Sequence, residues 1–355
     1  MKDAASHGGA FFSAIGEDFR HLERASRIIS ADVLDAWFDP APAVLKRLRE
    51  HLPFLMRTSP PLHAEGLTEA IAAARGLPRE CILTGAGSSS LLFHCLPRLV
   101  RGESLVVLLD PTYSEYEYLC DYVIGASILR HRLEGDFRVK GEKLTELCRE
   151  VEPQAVLLVN PNNPTGQLWK RRGVEKFLSQ LSDEVFVLVD ETYIDFAGED
   201  ESLEKLAARR PNMAVVKSMS KAYALGGFRI GYLVAEPALV GRLRKFLPPW
   251  PAGLPAQVAA VEALRHISYY RRRWQQTRRL RESQRRRLKA RDTDANWVLL
   301  EVDEPKRVAA SLREKGIFVR EFSTLNPEWD NRMLRIAIKS EAQNRRIAAA
   351  VRHAL

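Results

Sequence analysis

The sequence predicts an α/β fold with a mostly parallel sheet, followed by a smaller α+β domain. Short Val- and Leu-rich runs alternate with longer helical stretches from about residue 80 to 235. This alternation is typical of parallel strands that helices cover on both faces. After residue 236 the order changes to helix, strand, helix, strand, strand, which predicts the second domain.

The elements follow from short stretches of sequence. Six runs predict the strands of the larger sheet: CILTGAG at 81–87, SLVVLLDP at 104–111, AVLLVNP at 155–161, VFVLVDE at 185–191, AVVKS at 214–218 and IGYLVAE at 230–236. The smaller domain is predicted from DANWVLLEV at 294–302, a helix over 304–315, GIFVREF at 316–322 and RMLRIAIKS at 332–340. We therefore predict three parts: an N-terminal arm (1–40) associated with the small domain, a large domain (41–245) and a small C-terminal domain (246–355).

Composition places the chain among globular proteins. It has 355 residues, of which 46% are hydrophobic and 28% charged, enough for two domains with a large core. No run approaches the roughly 20 apolar residues of a membrane helix, and no secretory signal pattern is present, so we expect a cytoplasmic protein. The four cysteines have no C-x-x-C spacing, which predicts free thiols rather than a zinc cluster or a disulfide framework.

The formal net charge of +9 comes from one segment. Residues 271–291 contain eleven Lys and Arg residues against a single acid, Glu282. The segment has neither Gly nor Pro and predicts a helix with Trp274 and Leu280 among its few core contacts. Its basic face is either solvated or binds a phosphate or a partner; no recognised nucleic-acid-binding motif accompanies it. A DNA-binding regulator is the alternative function from another class, and salt-dependent retention on DNA tests it.

Polar loops follow the predicted strands at the edge where ligands bind in parallel sheets. GAGSSS at 85–90 opens a predicted helix, and its backbone N–H groups and hydroxyls suit a phosphate. Ser218 and Arg229 add a hydroxyl and a guanidinium for the same anion.

The remaining loop residues suit an aromatic ring with a protonated nitrogen. Asp190 ends a strongly apolar run, where a buried carboxylate needs a partner such as a cationic ring nitrogen. Tyr193 and Asn163 suit a phenolic oxygen, and Tyr113 offers a face for stacking. Together with Lys221, whose amine bonds an aldehyde, these groups describe pyridoxal 5′-phosphate.

Three motifs carry a family resemblance. NPNNPTG at 160–166, DETY at 190–193 and SMSKAYALGGFRIGY at 218–232 resemble the fold-type I, class I/II aminotransferases. The resemblance is strongest to the branch of histidinol-phosphate aminotransferase and threonine-phosphate decarboxylase. It implies that Lys221 bonds the cofactor and that Asp190 pairs with the ring nitrogen. Asn163 and Tyr193 would bind the ring oxygen, and Tyr113 would stack on the ring face. The phosphate would be bound by Gly87, Ser88, Ser89, Ser218 and Arg229.

The same resemblance implies substrate-binding residues. Arg335, in LRIAIKSEAQNRRI at 334–347, maps to the arginine that binds a substrate carboxylate or phosphate. Arg320 in GIFVREF matches a second substrate arginine, and a guanidinium suits such anions because it binds them through two hydrogen bonds. His7, in a His-Gly-Gly arm, is either part of a lid over the site or part of an unstructured start.

Two segments depart from the family pattern. Ser59 stands where relatives have a tyrosine that reaches the cofactor phosphate of the neighbouring subunit. ADVLDAWFDPAP at 31–42 replaces an N-P-x-G turn of the substrate pocket. Asp32, Asp35 and Trp37 are therefore candidates for a different, acidic substrate wall that would favour a basic amino group in the substrate.

The resemblance implies a homodimeric, pyridoxal phosphate-dependent aminotransferase that moves an amino group between an amino acid, or an amine derived from one, and a 2-oxo acid. Decarboxylation of a phosphorylated or polar amino acid stays open, because residues of the substrate wall decide which bond breaks. Cyclisation or elimination on a modified amino acid also stays open, given the unusual segments at 31–42 and 57–67.

Overall fold

A computed structural model describes residues 8–322 and 332–355. Its larger sheet has seven strands in the order β2-β8-β7-β6-β5-β3-β4. β8 runs antiparallel to both of its neighbours, and the other strands pair in parallel. The strands are β2 Ile82–Gly85, β3 Leu105–Asp110, β4 Ser127–Arg132, β5 Ala155–Val159, β6 Phe186–Asp190, β7 Met213–Ser218 and β8 Gly231–Ala235.

A second sheet has four strands in the order β1-β10-β11-β9. β1 pairs in parallel with β10, and the other pairs are antiparallel. The strands are β1 Ile29–Ala31, β9 Trp297–Glu301, β10 Ile317–Glu321 and β11 Met333–Ala337. The N-terminal segment thus supplies an edge strand to the C-terminal sheet, and these two sheets are the basis on which we propose the three-part division at about residues 40 and 245.

Fifteen α-helices lie within the described residues. They are α1 Phe12–Ile15, α2 Pro42–Arg57, α3 Glu65–Arg75, α4 Ser88–Leu99, α5 Ser114–Tyr118, α6 Gly141–Val151, α7 Arg171–Leu178, α8 Ile194–Ala197, α9 Glu204–Ala207, α10 Met219–Ala222, α11 Pro237–Arg244, α12 Leu254–Arg265, α13 Ile267–Leu288, α14 Pro305–Glu314 and α15 Glu341–Ala354. None of these helices is both long and apolar enough to cross a membrane.

Helices cover the larger sheet on both faces. On one face α4, α5 and α11 pack against the strands, and on the other α6, α7 and α9 do so. The strands are buried almost throughout, which explains their continuous apolar runs. A third and larger cluster joins the small sheet to α2, α3, α12, α13 and α15.

The predicted strands of both sheets are confirmed, but β4 of the larger sheet and β1 of the small sheet were missed. The sequence of β4, SILRHR, is half exposed because β4 is the edge strand of the sheet. An edge strand buries little side-chain surface, so no apolar run marks it in the sequence. Residues that follow β2, β3, β5, β6 and β7, and those just before β8, all lie at one edge of the sheet, where the site is found.

Candidate active site

A cavity of about 650 Å³ opens at the carboxyl ends of the parallel strands. It is lined by twelve of the fifteen residues predicted from sequence: Asp32, Ser88, Ser89, Tyr113, Asn163, Asp190, Tyr193, Ser218, Lys221, Arg229, Arg320 and Arg335. Residues far apart in sequence therefore converge. Most follow or end a strand of the larger sheet at this edge, Arg229 lies just before β8, and Asp32, Arg320 and Arg335 come from the small sheet.

The first turn of α4 forms one end of the cavity. Ser88 and Ser89 begin the helix, so its free backbone N–H groups point to this end. Gly87 precedes the helix with φ of +91°, and a Cβ there would lie 3.2 Å from an Nη atom of Arg229. Arg229 donates to Ser220 Oγ at 3.1 Å, which fixes the guanidinium beside the helix. This end of the cavity is suited to a phosphate.

Asp190 is buried at the end of β6, beneath the cavity. Its Oδ1 accepts hydrogen bonds from the backbone N–H of Thr192 at 2.9 Å and its hydroxyl at 2.6 Å, and Oδ2 accepts from Tyr116 at 3.0 Å. Burial raises the pKa of Asp190, while these bonds oppose the shift. The sequence argument that this carboxylate needs a ligand as its partner is therefore too simple, although the donors are neutral and a cationic ring nitrogen would still be favoured.

A second buried carboxylate lies beside the phosphate end. Glu115 Oε2 accepts from Ser89 Oγ at 3.1 Å and from the Tyr113 hydroxyl at 2.5 Å. Burial raises the pKa of Tyr113 well above its ordinary value, and Glu115 adds to the rise, so Tyr113 stays a neutral donor. Glu115 thus fixes the ring that was predicted to stack on the cofactor.

Lys221 reaches the cavity from α10 and makes an unpredicted contact. Its Nζ donates to Asp35 Oδ1 at 2.7 Å. Ser218, the N-cap of α10, accepts from the backbone N–H of Ser220, which fixes the start of the short helix that carries the lysine.

Two arginines line the opposite end of the cavity. Arg335 is buried on β11 and donates to Asn163 Oδ1 and to the backbone carbonyl of Asp32, while its buried Nε has no partner. Arg320 on β10 is its direct partner across the two antiparallel strands. Burial lowers the pKa of Arg335 to about 10, with Arg320 contributing to the decrease and Tyr193 opposing it.

Of the residues predicted to form an acidic substrate wall, Asp32 lines the cavity and Trp37 does not. Asp32 lines the cavity, but its Oδ2 accepts from the backbone N–H groups of Gly9 and Ala10 at 2.8 and 3.2 Å. Trp37 lies outside the cavity lining, because its indole N–H donates to Thr277 at 2.9 Å and its ring contacts Arg273 on α13. Asp35 pairs with Lys221, so both carboxylates have partners within the chain, and their contact with a basic substrate stays a prediction.

The N-terminal arm meets the cavity through Gly8, which lines it. His7, predicted to bind substrate, lies outside the described residues. Gly87 lies behind the lining, next to Arg229. Ser59 is exposed and does not line the cavity of this single chain.

The basic helix is α13, and its arginines make many internal contacts. Trp274 and Leu280 are buried, as predicted. Arg285 and Arg286 pair with Glu282, and Arg287 pairs with Glu341. These contacts favour the interpretation of a solvated helix whose arginines pair with nearby carboxylates.

Sequence reasoning missed four polar residues of the site: Glu115, Tyr116, Thr192 and Asp35 in its contact with Lys221. Glu115 and Tyr116 lie in DPTYSEY at 110–116, at the end of β3, and Thr192 lies in DETY at 190–193. Their polar character in buried loops was a usable signal. The Asp35 contact joins residues 186 positions apart and leaves no local signal.

Comparison with known proteins agrees with this geometry. A family model described as aminotransferase class I and II matches residues 32–351. The chain belongs to this aminotransferase family. Pyridoxal phosphate is the cofactor of the family, so the resemblance and the cofactor predicted from sequence are both confirmed.

Individual proteins place the chain more closely. Histidinol-phosphate aminotransferase of Thermococcus kodakarensis is 34% identical over 257 residues, 72% of each chain. The crystal structure of histidinol-phosphate aminotransferase from Sinorhizobium meliloti with pyridoxal-5′-phosphate superposes with a TM-score of 0.85 at 24% identity, covering 100% of this chain and 99% of that one. L-threonine-O-3-phosphate decarboxylase from Porphyromonas gingivalis superposes at 0.77 with 23% identity, covering 92% and 99%. The structural likenesses establish the predicted fold.

Proposed function

We propose that this aminotransferase acts on an amino acid, or an amine derived from one, that carries two anionic groups, and returns the amino group to a 2-oxo acid. The observation that carries the proposal is the position of Arg320 directly opposite Arg335 in the cavity wall. Like charges opposite each other destabilise a sheet. A carboxylate on Arg335 and a second anion on Arg320 would relieve this repulsion.

The side chains present fit pyridoxal phosphate. Ser88, Ser89 and Arg229 would hold its phosphate, Asp190 its ring nitrogen and Lys221 its aldehyde carbon. Gly87 supports this, because a Cβ there would lie only 3.2 Å from the Arg229 guanidinium. When bound, the cofactor accepts the electrons released at the substrate carbon.

The chain's own groups would carry out the remaining work. Arg335 orients the substrate through its carboxylate, and Tyr113 and Asn163 keep the ring in place. Lys221 Nζ holds or moves the proton at the substrate carbon as a general acid and base. Asp190, held by Thr192 from the same loop, would bind the ring nitrogen from the floor of the cavity.

The donor class can be tested by replacing Arg320. In Arg320→Gln we expect kcat/KM for a donor with a phosphate or a second carboxylate to fall about 10- to 100-fold, the value of a charge-assisted hydrogen bond. Donors without a second anion should change little. The measurement is amino transfer to a 2-oxo acid across a panel of amino acids, with the exposed Arg352→Gln as the control variant.

Two results would contradict the proposal. An equal decrease in kcat/KM for donors with and without a second anion would show that Arg320 does not bind that anion. Release of carbon dioxide during turnover, with no oxo acid formed from the donor, would instead establish decarboxylation. The absorbance of the bound cofactor, followed on adding donor and then oxo acid, distinguishes these reactions.

We also propose a homodimer, because several large apolar side chains are exposed on the part of the chain that the structure describes. The exposed side chains of Leu62 and Trp250 adjoin, since the Trp250 N–H donates to the Leu62 carbonyl at 2.9 Å. Phe246 lies nearby under the guanidinium of Arg98, on the same helix α4 as exposed Phe93. Large contiguous apolar surfaces are rare on monomers.

Light scattering is expected to give twice the mass of the chain. Trp250→Asp should shift the protein toward monomer, because a charge replaces a buried contact, whereas Phe19→Asp, an exposed residue near the N-terminus, should leave the dimer intact. A wild-type monomer with full activity would contradict the proposal.

We also propose that the protein is cytoplasmic. All four cysteines are buried free thiols. Free thiols without disulfides suit a reducing compartment.

A further inference from the structure

The lysine of the site has a carboxylate partner from a distant segment. Lys221 Nζ lies 2.7 Å from Asp35 Oδ1, and the two side chains are 18% and 47% exposed. Asp35 follows β1 in the segment that departs from the family pattern, whereas Lys221 lies in α10. The contact therefore joins the segment that follows β1 to a residue that lines the cavity.

The backbone that carries Asp35 is held from one side by the small sheet. Three side chains donate to successive carbonyls of this segment: Arg335 to Asp32 at 3.1 Å, Asn296 to Leu34 at 2.9 Å and Lys339 to Asp35 at 3.5 Å. Arg335 and Asn296 are buried donors, so the segment has a defined position rather than that of a free loop.

On the other side, the carboxylate of Asp35 packs closely against Gly226. A Cβ on Gly226 would lie 3.2 Å from Asp35 Oδ1, closer than ordinary van der Waals contact. The absence of a side chain at Gly226 leaves the space that the carboxylate uses to reach Lys221.

Lys339, which donates to the Asp35 carbonyl, is a buried amine, and burying a charged amine costs free energy. It is 7% exposed, and Asn344 fixes its backbone by accepting from its N–H at 3.0 Å and donating to its carbonyl at 2.7 Å. Burial lowers the pKa of Lys339 to about 8, with Lys221 contributing to the decrease and Asp35 and Asp32 opposing it. A buried amine beside a reactive lysine is a feature of functional sites.

We propose that Asp35 is a positioning residue that holds the Lys221 amine in the cavity whenever the amine is not bonded to the cofactor. The inference rests on the proposed function, which needs Lys221 to be free while it holds or moves a proton. An ammonium paired with a carboxylate keeps one place instead of sampling many rotamers. The other charged or titratable groups around this pair are Lys339, Tyr193, Asp190, Arg335 and Asp32.

The test uses the full-length chain freed of cofactor. A trace of acetic anhydride at pH 8 acetylates amines only in their uncharged form, and mass spectrometry of peptides gives the labelling of Lys221 relative to exposed Lys245 as internal standard. In Asp35→Asn we expect labelling of Lys221 to rise about two- to fivefold, because the amine is no longer held against the Asp35 carboxylate and reaches the reagent more often.

Asp39→Asn is the matched control. It removes the same charge from the same segment, but Asp39 is exposed, so labelling of Lys221 should not change. Asp35→Ser is a second variant in case Asp35→Asn folds poorly, and circular dichroism checks both. Wild-type labelling in both Asp35 variants, or an equal rise in Asp39→Asn, would overturn the proposal.

A separate arm reports on the proposed function. Borohydride reduction of the protein with pyridoxal phosphate should attach the cofactor to the Lys221 peptide. Attachment with no labelling difference contradicts the role of Asp35 alone. A labelling difference without attachment contradicts the cofactor role of Lys221, and with it the positioning role inferred for Asp35.

Discussion

Replacing Lys221 with alanine is expected to abolish amino transfer, with a decrease of at least about 10⁴-fold in the single-turnover rate. This is the upper range for one general acid–base group. The variant also loses the amine that bonds the cofactor. Among the described residues, Lys221 is the lysine that lines the cavity, so no other amine can replace it there. Rapid-mixing absorbance of the bound cofactor with a donor measures the rate.

Two controls make the result specific. Lys245→Ala removes an exposed lysine and should keep the wild-type rate. Lys339→Met removes the buried amine near Lys221, and it should still allow borohydride to attach the cofactor to the chain. Attachment of cofactor to Lys221→Ala at the wild-type level would refute the assignment.

The strands of the larger sheet could be predicted because burial on both faces leaves a continuous apolar run. β5 and β6 are buried at every position, and their sequences, AVLLV and FVLVD, end directly before polar loops. β1 escaped prediction for the opposite reason. It has three residues and exists through pairing with β10, almost 290 positions later along the chain.

The cofactor residues could be predicted because each lies in a short motif at the end of a strand. The substrate wall could not, because its contacts depend on segments that meet only in the folded chain. Asp32 and Trp37 are close in sequence, yet the first binds the N-terminal arm and the second binds α13. An acidic segment does not reveal whether its carboxylates face a ligand or the protein's own donors.

Beneath the site, a group of buried charges links the ends of β6 and β7. Lys217, one position before Ser218, is 1% exposed, and its Nζ lies 3.6 Å from both Asp195 and Glu204 and 3.8 Å from Glu191. Arg75 pairs with Asp195 at 3.1 Å. Two buried cations therefore balance three buried carboxylates, one of which follows Asp190 directly.

We expect Lys217→Met to lower the free energy of unfolding by about 3–5 kcal/mol, because it leaves buried carboxylates without their cation. Urea unfolding followed by circular dichroism at pH 7 measures the change. Lys245→Met, which removes an exposed lysine, should change the free energy by less than about 0.5 kcal/mol. A loss below 1 kcal/mol in Lys217→Met would show that Arg75 alone balances the carboxylates.

The pH dependence of that loss identifies its cause. Burial raises the pKa of Glu191 to about 7, although Lys217 lowers it. A carboxyl whose pKa is raised in the folded state binds more protons there, so stability falls as pH rises from about 4.5 to 7. Without Lys217 this window extends upward, and the loss should be larger at pH 8 than at pH 6. Adding Glu191→Gln should recover part of it at pH 8, whereas a loss equal at both pH values would indicate a packing defect.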